Sequence, residues 1–420
     1  MRFLILTQYF PPEIGGAQTR LRSFAAELVH LGHEVEIVTA KPNYPKGAFF
    51  PGYEKGLYLR EELDGCTVHR VWIYPAVGSG LKRLLNYISF TILCLYGLYR
   101  AQRPDYVFVE SPPLFLSIAA VVARMFWRVP FIFNVADLWP DVIVDGGFMK
   151  EGWVISVLRK LERWSYRRAA YVNAVTDSIL RILRDEKSVP AEKLLYLPNG
   201  ADTRRFRPRP PDEDLKAKLG LSDKKIVLWA GTLGLAHGLD KVLAAAKLLQ
   251  DVPEVHVLFV GDGSAREELL SLRDEWQIRN VSFHPPVSLD EIAAYYSIAF
   301  CGLASLIDIP LFEGARPSKI FPVLASGKPL IFAGKGETAE LVEAANAGIV
   351  VPPGDERLLA DAILKLLHSP ERCEQLGKNG RRFVEEHLQW SRLVQDWLAQ
   401  LELRSGRQQP ATATLSQVSG

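Results

Sequence analysis

The sequence predicts a two-domain α/β protein, each domain a doubly wound parallel sheet with helices on both faces. Three observations predict it. The chain has 420 residues, enough for two or three domains, and 48% hydrophobic against 23% charged residues can supply large buried cores. It opens as strand, glycine loop, helix, strand, the start of a doubly wound sheet. The same pattern restarts at residue 226, after a stretch rich in proline and charge.

In chain order, residues 2–7 are an apolar run that reads as a buried first strand rather than a signal peptide. It ends in the loop QYFPPEIGGAQTR. Leu21, Phe24, Leu28 and Leu31 recur at helical spacing, which predicts a helix over 19–30 that Gly32 stops. Residues 35–39 (VEIVT) form the next strand. Further strands are expected at 67–73, 105–109, 131–135, 171–175 and 194–197, completing a first domain over 1–200. Residues 198–225, from PNGAD to SDKK, hold few core residues; from 201 to 225 they read as an interdomain linker. The second domain, 226–387, begins with the strand IVLWA, a glycine-rich loop at 231–238 and a helix at 239–250. The strand HVLFV (256–260) and the loop GDGSAR follow. Strands at 298–303, 329–333 and 348–351 then alternate with helices at 288–296, 318–326 and 355–368. Residues 403–420 have the composition of a disordered tail.

Composition removes several classes of function. A net charge of +2 gives no overall attraction to nucleic acid. The four cysteines, Cys66, Cys94, Cys301 and Cys373, are widely spaced, which points to a reducing cytoplasm rather than a zinc site or disulfide framework. Residues 84–99 are uncharged between Lys82-Arg83 and Arg100, too short to span a bilayer but suited to lying in its interface. Arg159, Lys160, Arg163, Arg167 and Arg168, with Trp153 and Trp164, add a second basic and aromatic cluster. Together they predict contact with an anionic membrane surface; the alternative is a buried helix beside a solvated charged face.

Candidate site residues sit where strands end, because ligands of parallel sheets lie beyond the carboxyl ends of the strands. Gly15 and Gly16 follow the first strand, where backbone N–H groups suit a phosphate or a sugar. Gly261 and Gly263 follow a later strand, but Arg266 replaces the third glycine of a dinucleotide fingerprint, which argues against NAD. Asp137 ends the strand FIFNVAD and could orient or deprotonate a hydroxyl, or cap a helix. Glu110 ends VFVE in the same way. Arg316, Ser318 and Lys319 open an expected helix, with Ser318 its candidate cap, where a diphosphate would find both cations and free N–H groups. Asp212-Glu213-Asp214 matches an Asp-x-Asp metal pattern but lies in the linker and reads as a solvated charge run.

The segments YFPPEIGGAQTR, LGHEVEIVTA, FIFNVADLWPD, LPNGADTRRF, LWAGTLGLAHGLDKVL, FVGDGSAREEL, RPSKIFPVLASGKPLIFAGKGETAELV and GIVVPPGD occur in that order. In order and spacing they resemble glycosyltransferase family 4, retaining enzymes of the GT-B fold, over residues 1–402. DLWP and PSK look most like the WbuB-type branch of fucosamine transferases. The resemblance implies a nucleotide-sugar donor, UDP-linked, and a lipid-linked or oligosaccharide acceptor at the inner face of the plasma membrane. It implies no divalent metal and no covalent cofactor, and a C-terminal helix at 388–402 that crosses back to the first domain. It marks Asn199, Gly231, His237, Glu313 and Glu337 as substrate-binding positions beside Asp137 and Lys319. Three positions differ from many members: Ala136 stands for a His, His237 for a Lys, and Pro322 for the second of two paired glutamates. A non-catalytic partner subunit and a sugar-nucleotide epimerase are the other readings of the same pattern.

Overall fold

The computed structural model describes residues 1–78, 80–147 and 149–406. The first half runs β1 (Arg2–Leu6), α1 (Gly16–His30), β2 (Glu34–Ala40), β3 (Tyr58–Leu63), β4 (Cys66–Val71), α2 (Leu81–Arg100), β5 (Tyr106–Ser111), α3 (Leu116–Trp127), β6 (Phe131–Val135), α4 (Asp141–Asp145), α5 (Trp153–Arg168), β7 (Tyr171–Ala174), α6 (Asp177–Asp185) and β8 (Leu194–Tyr196). Its eight strands form one sheet in the order β3-β4-β2-β1-β5-β6-β7-β8. All neighbours are parallel except β3, which pairs antiparallel with β4. The central strands are buried along their whole length, as sheets covered on both faces require.

The second half runs α7 (Glu213–Lys218), β9 (Lys225–Ala230), α8 (Leu239–Leu248), β10 (Val255–Val260), α9 (Arg266–Glu275), β11 (Val281–His284), α10 (Ile292–Ile298), β12 (Ala299–Ser305), α11 (Ile320–Ala325), β13 (Leu330–Ala333), α12 (Glu337–Ala344), β14 (Gly348–Val351), α13 (Glu356–Leu367), α14 (Pro370–His387) and α15 (Trp390–Ser405). Its six parallel strands are ordered β11-β10-β9-β12-β13-β14. Two parallel-sheet α/β domains face one another, and this is the GT-B architecture.

Several expectations are corrected. The linker is not bare chain. It contains α7, whose first turn Asp212 caps by accepting from the Leu215 N–H. The helix at the cationic segment starts at Ile320, and Ser318 makes no capping hydrogen bond. Asp137 caps nothing, since α4 starts four residues later. The chain remains helical through Ser405, so the expected tail is too long by three residues at its start; residues 407–420 lie outside the described residues. Residues 84–99 belong to the longer α2, whose inner face (Phe90, Cys94, Gly97, Leu98) packs on the sheet. No described helix is long and apolar enough to cross a membrane.

α15 packs on α1 and buries Trp390, Leu393, Val394, Trp397 and Leu401 in the core of the first half, beside Phe3, Ile5, Phe24 and Phe108. Trp397 meets Phe24 edge to face at 5.2 Å, a favoured aromatic geometry.

Candidate functional site

Between the two sheets lies a cleft of about 1130 Å³. Its lining comes from segments that follow the carboxyl ends of strands: Gly16 after β1, Glu110 at the end of β5, Asp137 after β6, His237 after β9 and Glu337 after β13. This is where the helix N-termini and side chains of a parallel sheet converge.

On the first wall, Glu110 is buried and ion-paired with Arg20, from the second turn of α1. Burial raises the Glu110 carboxyl above its ordinary range, more than Arg20 and Asn134 draw it down. The other Glu110 oxygen accepts from Asn134 Nδ2 at 2.8 Å; Asn173 Nδ2 donates to Asn134 Oδ1 at 2.6 Å; Trp397 Nε1 donates to Asn173 Oδ1 at 3.0 Å. Strand register makes this ladder, because Glu110, Asn134 and Asn173 are direct neighbours across β5, β6 and β7. Each amide is used as donor and acceptor, which satisfies three buried polar side chains across a sheet.

Asp137 lines the cleft with its side chain exposed to it. Desolvation raises its carboxyl and Arg20 partly offsets this. One cation thus serves two carboxylates, which leaves acceptor capacity for hydroxyl donors. Arg20 was missed in the sequence. The signal was present: two carboxylates at adjacent strand tips require a nearby cation if either is to stay charged.

On the second wall, Lys319 extends beneath the cleft lining. Its Nζ lies 2.9 Å from His237 Nε2 and 3.8 Å from the centre of the Trp229 ring. Burial alone drives its ammonium well below the usual lysine range. His237 is held at about 3, chiefly by burial and then by Lys319, so it is a neutral imidazole. Gly231 borders Lys319, with space for a Cβ 3.6 Å from Cε, but its φ of 133° favours glycine. A Cβ on Gly261 would lie 2.0 Å from the Gly231 carbonyl oxygen, and one on Gly263 would lie 2.4 Å from that of Leu233. These glycines press two loops together, and Gly15, Gly261 and Gly263 are not among the cleft lining. Gly16, Glu110, Asp137, Asn199, His237, Glu313, Arg316, Ser318 and Glu337 are. Asn199 presents a buried carbonyl oxygen with no hydrogen-bond partner.

The two walls also touch. Arg316 donates to Asp177 Oδ2 at 2.6 Å and to the Tyr196 hydroxyl at 3.2 Å, both in the first half. Glu337 accepts from the Ser178 N–H at the start of α6. Arg316 Nε and Glu337 Oε2 are 2.9 Å apart, yet aligned so that neither forms a hydrogen bond there. Burial raises the Glu337 carboxyl, and the neighbouring Arg316 is the largest influence drawing it back down. Arg316, expected as a diphosphate partner, is therefore engaged in joining the walls. Gly16 comes close to Ser318, and Gly314 to Ser178, where an added Cβ would lie 3.0 and 2.5 Å from the respective serine oxygens.

A glycosyl transferase 4-like domain matches residues 15–200, and glycosyl transferases group 1 matches residues 211–383. The chain is 29% identical over 337 residues to the putative colanic acid biosynthesis glycosyl transferase WcaI of Escherichia coli K12, covering 78% of this chain and 82% of that one. It is 25% identical over 429 residues to a GDP-mannose-dependent α-(1-6)-phosphatidylinositol monomannoside mannosyltransferase of Mycolicibacterium smegmatis, covering 98% and 100%. Among solved structures, Anabaena HepE in complex with UDP-glucose superposes with a TM-score of 0.71 at 17% identity, over 96% of this chain and 100% of that chain. That likeness is one of fold. With one transferase model on each half of a GT-B fold, the chain belongs to the family 4, group 1 glycosyltransferases.

Proposed function

We propose that this glycosyltransferase is a retaining enzyme of the WbuB-type branch. In this reading it moves an N-acetylated amino or deoxy sugar from a UDP-linked donor to a lipid-linked saccharide in surface-polysaccharide assembly. One observation carries the reading: Asp137 opens into the cleft, and under the opposite wall, against the lining residue His237, sits Lys319, a cationic side chain with no carboxylate partner among the described residues. Lys319 suits a donor diphosphate and Asp137 an acceptor hydroxyl. The relatives named for colanic acid biosynthesis and for a phosphatidylinositol-linked acceptor, and the neighbour holding UDP-glucose, support it.

As the anomeric carbon–oxygen bond to the diphosphate breaks, negative charge grows on the leaving phosphate. The acceptor oxygen joins the anomeric carbon from the same face, and its proton passes to the leaving phosphate oxygen. Lys319 stabilises the growing charge, and a fixed cation in a partly dry cleft does so without reorganising. Asp137 orients the acceptor hydroxyl, with Arg20 and Glu110 holding that wall in place.

The acceptor would be lipid-linked, a reading that an exposed apolar surface on the first domain supports. The outer stripe of α2 is Leu81, Leu85, Ile88, Ile92, Tyr96 and Tyr99, all exposed. α3, packed on α2, exposes Ile118, Val122, Met125 and Phe126, and the neighbouring α5 exposes Trp153. An apolar layer of this extent marks a contact surface, and the adjoining Arg163, Arg167 and Arg168 suit anionic lipid at the inner face of the plasma membrane.

The test is a transfer and hydrolysis screen of UDP- and GDP-sugars with a polyprenyl-diphosphate-linked acceptor. Hydrogen bonds to charged groups contribute about 1.5–3 kcal/mol, so Lys319→Ala should slow turnover roughly 10- to 150-fold. A wild-type rate in folded Lys319→Ala protein would remove Lys319 from the reaction.

A further inference from the structure

We infer that His237 is a positioning residue: a neutral imidazole that fixes the Lys319 ammonium beneath the cleft, aimed at the donor diphosphate. This rests on the reading of Lys319 above. The two ring nitrogens have fixed and different duties. Nδ1 lies 3.0 Å from the Ser305 carbonyl oxygen, which can only accept, so Nδ1 carries the proton. The ring's lone pair is then on Nε2, 2.9 Å from Lys319 Nζ, which donates to it. Ser305 Oγ donates in turn to the His237 carbonyl oxygen at 2.6 Å, so both ring and backbone are tied to the end of β12.

Trp229 completes the seat. Its ring lies beneath Nζ and meets the imidazole edge to face at 5.1 Å. The ammonium thus has two neutral acceptors, a lone pair and a π face, and an N–H remaining for a ligand. No carboxylate among the described residues pairs with it, in contrast to Arg316 and Lys187. A carboxylate in place of His237 would neutralise the cation; a protonated imidazole would repel it. A neutral imidazole of fixed tautomer orients the amine without supplying a counter-charge, so an arriving anion is what favours its charged form.

A binding cycle tests this, with UDP and GDP as probes, because a free nucleoside diphosphate carries the charge that the leaving group acquires. Calorimetry would compare wild type, Lys319→Ala, His237→Leu, the double variant and His237→Gln, with thermal melts as a folding control. The wild type should bind one of the two probes, and Lys319→Ala should bind it roughly 10- to 150-fold more weakly. His237→Leu should lose at least about tenfold, and the double variant should lie within about threefold of Lys319→Ala alone. His237→Gln, which keeps a donor and an acceptor, should recover most of the affinity. Binding of neither probe would sink the diphosphate reading itself and the inference with it. Unchanged affinity in Lys319→Ala would remove Lys319 and likewise the inference. A normal Lys319 effect with His237→Leu unaffected, or with additive losses, would overturn the positioning role alone.

Discussion

Glu13 shows how far one buried side chain can hold two loops together. One of its oxygens accepts from the N–H groups of Asn43 at 2.7 Å and Tyr44 at 2.9 Å, tying the loop after β2 to the loop after β1. Desolvation nevertheless prevails, raising its carboxyl from 4.5 to about 7. A raised carboxyl favours the folded state fully below the unfolded value, and that advantage is lost as pH rises through the folded one. Stability should therefore fall between pH 4.5 and 7, by up to about 3 kcal/mol for 2.5 units. Glu13→Gln keeps the acceptor oxygen and cannot ionise, so its melting temperature should fall less over that window. Parallel melting curves for the two proteins would exclude the linkage. Nothing in the sequence marked Glu13, because its environment comes from a loop 30 residues away. Asp137 and Glu110 were legible because strand ends are legible. The partners of Arg316 and His237 were not, because they lie across the cleft or across the sheet in residues distant in sequence.

Among the elements, α2 was legible as an apolar segment but not as a helix apolar on opposite faces. One face covers the sheet and the other is open. Leu81→Ser, Ile92→Ser and Tyr99→Ser together alter only exposed positions, so the fold should survive. Cosedimentation with vesicles containing anionic lipid should drop severalfold, and wild-type binding should weaken with salt. Equal sedimentation of the two proteins at low salt would remove α2 from the contact. Two of the elements that sequence patterning missed, β3 and α14, share a cause. β3, YLREEL, is an edge strand with mostly polar, exposed residues and so has no apolar run. α14 is polar and carries Gly377 and Gly380, which reads as loop. Yet both glycines are needed: a Cβ on Gly377 would lie 2.1 Å from the Gly327 carbonyl oxygen, and one on Gly380 would lie 2.9 Å from Leu324.

At the scale of the molecule, the restart at residue 226 revealed two sheets but not how they meet. They meet through Arg316 and Glu337 on one side and through Asp177, Ser178 and Tyr196 on the other. Arg316→Ala would remove the direct donors to Asp177 and Tyr196. Small-angle scattering of the ligand-free variant should then show a broader distance distribution and a larger radius of gyration than wild type, while each sheet stays folded by circular dichroism. An unchanged scattering profile would mean that the segments crossing between the halves, including the Ala201 to Leu388 backbone pairing, hold them together without Arg316.

The return of α15 to the first half has a consequence in time. A ribosome releases β1 long before α15, yet Phe3 and Ile5 are covered by Trp397 and its neighbours. The ladder that orients Glu110 likewise ends on Trp397. The second sheet, synthesised in between, has its strands complete by residue 351, before the first acquires its last side chain. The earlier-made half is therefore completed after the later one, and the nascent chain carries an uncovered aromatic surface on β1 until α15 emerges.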